Sequence, residues 1–220
     1  RGWKTSDLHS ENVMVDSVSI RLDGNQIVGS GSSSLDGYPK VFGSYALDRS
    51  EKDDIKRYVT RLIGKGSNKF YLDNYVLSDV NDRDKRTVID YTFRIGDYFQ
   101  KIGDELYVNL NLNKEHYNDF INLALRESPK ERDYRYEKLE YCELIIPDGY
   151  MVEYLPPNAK ADGDLLGFET QYTSTNDKIV FRKKFYINYL LMQPNQLEDW
   201  NASVKPLSEA YKESIILKKK

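Results

Sequence analysis

Covalent catalysis needs a nucleophile held against a base, so the first residues to weigh are one thiol and two imidazoles. Cys142 is the single cysteine of the 220 residues, and His9 and His116 are the two histidines. Cys142 lies in Leu139 to Ile146 and shares a strand face with Leu144 and Ile146. A thiol on an apolar face is buried, raised in pKa and inert. Neither histidine belongs to a recognisable motif. His9 is near the terminus, His116 is in a polar stretch, and both read as solvated surface residues. A hydrolase built on Cys142 and His116 would need the fold to bring them within hydrogen-bond reach.

Other chemical motifs are incomplete. There is no G-x-S-x-G nucleophile elbow. Gly64-Lys65-Gly66-Ser67 resembles part of a phosphate loop, but it lacks the upstream glycine and the G-K-[ST] order. It follows a helical pattern instead of preceding one, so it reads as a helix C-cap and turn. Two histidines cannot build a three-histidine zinc site, and H-E-x-x-H is absent. Asn81-Asp82-Arg83-Asp84 and Asp162-Gly163-Asp164 do not match the calcium loop. The 35 acidic residues are too dispersed for one carboxylate pair to stand out. Asn201-Ala202-Ser203 is a formal glycosylation acceptor, but it falls inside a predicted helix. No catalytic, cofactor-binding or metal-ligating residue is assigned, and no cofactor is expected.

Most of the elements that would position such residues are strands. Thr87, Ile89, Tyr91, Phe93 and Ile95 alternate with polar neighbours, the signature of a half-buried strand. Leu106, Val108, Leu110 and Leu112 do the same. So do Ile179, Phe181, Phe185, Ile187, Tyr189 and Leu191, broken only by Lys183. Met14, Val18, Ile20 and Leu22 begin another strand, ended by the hairpin turn Asp23-Gly24-Asn25. Phe70 to Leu77, Tyr150 to Leu155 and Phe168 to Tyr172 are further strands, with turns at Asp148-Gly149 and Thr175-Asn176-Asp177. Gly29 to Ser34 has linker composition and reads as a linker or a loose edge strand.

Two helices are predicted. Ser50 is placed as the N-cap of the first, whose stripe is Ile55, Tyr58, Val59, Leu62 and Ile63, with Gly64 closing it in the left-handed conformation. The second opens at Asn195 with Glu198 as capping partner and carries Trp200, Val204, Leu207 and Tyr211; Pro206 should kink or restart it. Tyr117, Phe120, Ile121, Ala124 and Leu125 have helical spacing over a short stretch. Arg126 to Glu137 is a charged connector.

Composition narrows the function classes. Apolar residues make up 40% and charged residues 30%, a folded, soluble profile. The net charge of −3 gives no basic excess of the kind that phosphate backbones select, so nucleic acid is not an expected partner. No apolar run reaches the roughly 20 residues that span a bilayer. The chain starts Arg1-Gly2-Trp3 without an initiator Met, as expected of an excised or processed fragment. Tyr outnumbers Phe by 18 to 8, which suits strands with one wet end.

The second half carries a resemblance. Ile145-Ile146-Pro147-Asp148-Gly149-Tyr150-Met151-Val152-Glu153-Tyr154-Leu155-Pro156 is followed by the strand Gly167 to Tyr172, the long strand from Lys178 and a Trp-bearing helix. Ala210 to Lys219 closes the series. This order resembles the C-terminal region of bacterial transglutaminase-like proteins, a domain of unknown function that follows a papain-like core. The resemblance covers about Leu106 to Lys220. It implies a non-catalytic part of a larger protein, with the upstream catalytic domain of the same polypeptide as partner and the cell envelope or periplasm as address. None of the core's Cys, His and Asp can be carried over, and Cys142 does not match the family's nucleophile.

The expected fold is mainly β, an α+β chain of antiparallel, sandwich-like sheets with two peripheral helices. Residues 1–112 would form a β-rich lobe with a helix at about 50–63. Residues 113–220 would form a second, with a helix at about 195–211 and a short terminal strand; the two could also make one continuous sandwich. Three functions are weighed. The first is an accessory module that packs on or positions a catalytic core. The second is a glycan- or peptide-binding module, with Tyr134, Tyr136 and Tyr141 on one exposed surface. The third is the Cys142 hydrolase.

Overall fold

The computed structural model describes residues 12–48, 51–124 and 126–220; His9, the predicted cap Ser50 and Leu125 lie outside them. The chain is mainly β, as its alternation predicts. The strands are β1 (Val13–Asp23), β2 (Gln26–Leu35), β3 (Phe70–Ser78), β4 (Thr87–Gly96), β5 (Gln100–Ile102), β6 (Glu105–Val108) and β7 (Lys130–Glu131). They continue as β8 (Tyr136–Ile145), β9 (Tyr150–Tyr154), β10 (Ala159–Asp162), β11 (Leu166–Ser174), β12 (Lys178–Ile187), β13 (Leu191–Met192) and β14 (Ile215–Lys219). The helices are α1 (Tyr38–Asp48), α2 (Lys52–Ile63) and α3 (Leu197–Ala210).

An eight-stranded sheet runs β10-β11-β12-β8-β1-β2-β4-β3. Strands from both halves of the sequence therefore share one sheet. It is mixed, because β1 pairs with β8 in parallel while its other pairs are antiparallel. A smaller sheet runs β5-β6-β14-β9, and β13 pairs with β7.

One face of the large sheet is buried and carries two apolar clusters. Val18, Cys142, Phe181 and Ile89 pack against α2 and the smaller sheet through Val59, Ile63, Leu106 and Ile215. Phe168, Phe185 and Ile187 pack against α3 through Trp200, Val204 and Leu207.

Several expectations are corrected. Gly29 to Ser34 is neither linker nor edge; it lies in β2, between β1 and β4. Its small residues have a packing reason, since a Cβ on Gly31 would meet the Tyr91 ring at 2.6 Å. Gly64 is not left-handed (φ −56), and Gly66 (φ +78) makes the turn instead. The capping box before α3 is Gln193 with Gln196, on a 3-10 turn at Pro194–Gln196, and α3 runs on through Pro206. Tyr117 to Ala124 is not helical. His116 and Asn118 are left-handed there, and α3 binds the stretch through Ser208 Oγ to the Asn118 N–H and Asn201 Oδ1 to the Ile121 N–H. Asn201 also donates to the Ile121 carbonyl, so its amide is committed inside the fold.

Helix α1 was not predicted. Pro39 near its start favours a helix opening, but Gly43 in its interior weakens the pattern. Pro39, Lys40, Gly43 and Leu47 are buried, with Lys40 Nζ donating to the carbonyls of Asp82, Arg83 and Lys85.

Candidate functional site

The apolar stripe of α1 faces outward. Tyr38, Val41, Phe42 and Tyr45 follow the i, i+3, i+4, i+7 spacing and are 53%, 62%, 52% and 64% exposed. Tyr134 extends this surface: its ring stacks on Tyr38 at 5.6 Å with 3° between planes, and lies 6.1 Å from Phe42. Asn12 anchors the same corner. Its Oδ1 accepts from the Tyr38 N–H, and its Nδ2 donates to the Arg135 carbonyl.

The three tyrosines singled out from sequence do not share one exposed surface. Only Tyr134 joins α1. Tyr136 is buried beneath it, edge-on to Tyr134 and against Phe185. Tyr141 is five residues further along β8, which places it on the opposite face; there it meets the Arg182 guanidinium.

Cys142 and His116 are also apart. Cys142 is buried between Val18 and Phe181 on neighbouring strands, and burial pushes its thiol pKa up. His116 stacks on Phe185, which pairs with Lys138. Four strand residues separate Lys138 from Cys142, on the order of 13 Å. His116 is no solvated surface residue: it is wedged between Phe185 and Trp200, with Nδ1 2.6 Å from Asp119 Oδ2 and Nε2 3.0 Å from Arg132 Nη2. A guanidinium can only donate, so Nε2 accepts and the proton sits on Nδ1 toward Asp119. Desolvation, and the Arg132 charge with it, lower the His116 pKa against the pull of Asp119.

A second feature lies inside. The register sets Thr170, Lys183, Glu140, Asp16 and Ser33 side by side on adjacent strands, all on the buried face. This polar row divides the two apolar clusters. Lys183 Nζ is 2.8 Å from Glu140 Oε2 and donates to the Asn113 carbonyl at 2.6 Å. Lys65, from the loop after α2, reaches Asp16 Oδ2 at 2.6 Å and also bonds Tyr91, whose hydroxyl donates to Asp16 Oδ1 at 2.6 Å. Burial, and after it the Asp16 charge, push the Tyr91 pKa up. Lys138 pairs with Glu115. Burial alone would raise the Glu115 carboxyl; the Lys138 charge and hydrogen bond hold it below the usual carboxylate range. Among the described residues no cluster of His, Cys, Asp and Glu could hold a metal ion.

The chain is thus a mainly β protein with an outward aromatic helix face, a wedged histidine and a charged row inside its mixed sheet. A protein-family model covers residues 104–217, just over half of the chain, and the chain belongs to that family, DUF3858, described as a domain of unknown function with solved structure. Neither the curated proteins nor the solved structures contain a match to the chain.

Proposed function

We propose that this chain is a non-catalytic accessory and interaction module that packs on, and positions, a transglutaminase-like catalytic core of the same polypeptide in the cell envelope or periplasm. The observation that carries this reading is the exposed aromatic face of α1. Contiguous apolar surface of this kind marks a contact with another protein, and Tyr and Phe rings supply much of the energy of such contacts. The reading asks no chemistry of Cys142 or His116. The resemblance of the second half to the region after a papain-like core supplies the kind of partner.

The test is a calorimetric titration of this chain with the separately purified segment encoded immediately upstream. A dissociation constant of about 1 μM or tighter is expected. The double variant F42D/Y45D should weaken it by about 100-fold, since two interface aromatics are lost and charges are placed on an apolar surface. No heat and no co-elution, or binding unchanged in F42D/Y45D, would overturn the reading. The parallel Tyr38–Tyr134 pair supports a second reading, stacking on a glycan or peptide. It predicts saturable tyrosine quenching by an oligosaccharide or peptide when the upstream segment does not bind.

A further inference from the structure

The polar row opens on a cavity of about 440 Å³. Its floor is the sheet around Asp16, Ser33, Lys138 and Glu140; its roof is the end of α2, the loop Gly64 to Ser67 and residues 112–115. This volume suits a small molecule. A structural core would close such a space with apolar side chains, because interiors pack to crystal density. Here the ion pairs Lys65–Asp16 and Lys138–Glu115 line it, and Lys183–Glu140 stands at its back. Ion pairs withdrawn from water stabilise a fold poorly compared with apolar packing. Two such buried pairs, Lys65–Asp16 and Lys183–Glu140, with the partly exposed Lys138–Glu115 beside them, are better explained by recognition of a polar ligand, which needs fixed donors and acceptors.

The charge balance indicates the ligand's sign. Each inner cation already has a carboxylate. At the mouth, Arg61 only lies over the Tyr58 ring, 5.7 Å from its centroid, and Lys114 makes no ion pair among the described residues. Desolvation, and after it the Lys183 charge, lower the Lys114 pKa. An anion at the mouth would give these two lining cations a counter-charge. Ser67 accepts from the Lys69 N–H and keeps its own hydroxyl proton to donate. We propose that this cavity binds a small anionic molecule, a carboxylate or phosphate bearing hydroxyl or amide groups. The anionic end lies between Arg61 and Lys114, and the polar body lies against the two lining ion pairs. Gly64 to Ser67, which looked like a helix cap, is then one wall of a binding site.

The test is an amide NMR titration of the chain with sodium citrate and with inorganic phosphate, each against sodium chloride at equal ionic strength. Saturable shifts are expected at the Gly64 and Gly66 amides, with a dissociation constant of about 1 mM or tighter. The variant R61Q/K114Q, altered only at the mouth, should keep the melting temperature and weaken binding about tenfold or more. Saturation by citrate alone assigns a carboxylate ligand, by phosphate alone a phosphate ligand, and by both a site that reads charge. Absence of saturable shifts with either anion up to about 20 mM, or unchanged binding in R61Q/K114Q, would overturn the proposal.

Discussion

Replacing Lys183 by Met tests whether the polar row is held by its charges. Lys183 is only 2% exposed; it makes the ion pair with Glu140, hydrogen bonds to the Asn113 carbonyl and, at 3.5 Å, to the Tyr211 hydroxyl, and lies 4.8 Å from the centre of the Tyr211 ring. Met fills similar volume and keeps an apolar contact with the ring. The charge and the donor are lost. Glu140 is then left without its cation beside Asp16, its cross-strand neighbour on β1, whose own partner is Lys65. Leaving a buried charge without its partner costs about 3 kcal/mol, and the stranded Asn113 carbonyl adds about 1 kcal/mol. For a chain of this size each kcal/mol lowers the melting temperature by about 2–4 °C, so Lys183→Met should melt about 8–16 °C lower. The double variant K183M/E140L removes both charges. The Asn113 carbonyl and the long bond to the Tyr211 hydroxyl are the remaining losses, so stability should return to within about 1–2 kcal/mol of the parent. Urea unfolding followed by circular dichroism gives both values. A single variant within about 0.5 kcal/mol of the parent, or a double variant no more stable than Lys183→Met, would refute the assignment of the row to compensated charge.

Other perturbations follow from the same geometry. Cys142 should react with a thiol reagent only as fast as the chain unfolds, since it is buried with a raised pKa; rapid labelling under native conditions would contradict this. Burial first raises the pKa values of Tyr91, Tyr98, Tyr136, Tyr172 and Tyr211. The unfolded chain loses those protons near pH 10 while the folded chain keeps them, so stability should fall as pH rises above about 10. Absorbance at 295 nm should show these tyrosines ionising together with unfolding. His116 has a lowered pKa, so the unfolded chain takes up a proton that the folded chain refuses. Stability should therefore fall below about pH 6.5, by up to about 1.4 kcal/mol per pH unit until the folded histidine titrates. Asn tolerates the left-handed backbone at this position, so His116→Asn should flatten that slope in urea unfolding at pH 5 to 7. Gly31→Ala should cost about 1–3 kcal/mol, because the new methyl meets both the Tyr91 ring and Val18 Cγ1. Calorimetric melting checks it.

Strands and turns were legible because they are local. Period-2 alternation placed β4 and β12, and Gly24 marked the β1–β2 turn. The cap and turn at Gly64–Gly66 and the capping box at Gln193 were missed by only two residues, whereas the larger failures have a deciding neighbour distant in sequence. β2 has linker composition because Tyr91 and Phe93 of β4 fill the space over Gly31 and Gly29. Tyr117 to Ala124 has helical spacing, but the side chains of Ser208 and Asn201 satisfy its backbone in another form. Periodicity finds a helix stripe but not its direction. α1 keeps Lys40 inside and turns its aromatics out, which no spacing rule reports.

The polar row was half visible. Lys183 breaks the apolar face of β12, and Asp16 breaks that of β1 between Met14 and Val18. Each break looks like an isolated exception, because pattern reading treats strands one at a time. Only the register shows that both fall on one line, with Glu140 between them from a strand more than a hundred residues after β1. That alignment changes their meaning. A lone lysine on an apolar face is an error for the fold to absorb, whereas Lys183 with Glu140, and Asp16 with Lys65 reaching in from the loop after α2, are mutually compensating. The row also fixes register, since a slip of one residue on any of the three strands would set a charge against an apolar side chain. The parallel β1–β8 pair joins the two halves of the sequence and has no connecting turn to hold its register. It carries the Asp16–Glu140 step of this row, two like charges side by side, so Lys65 on Asp16 and Lys183 on Glu140 are what allow the two halves to meet in this register.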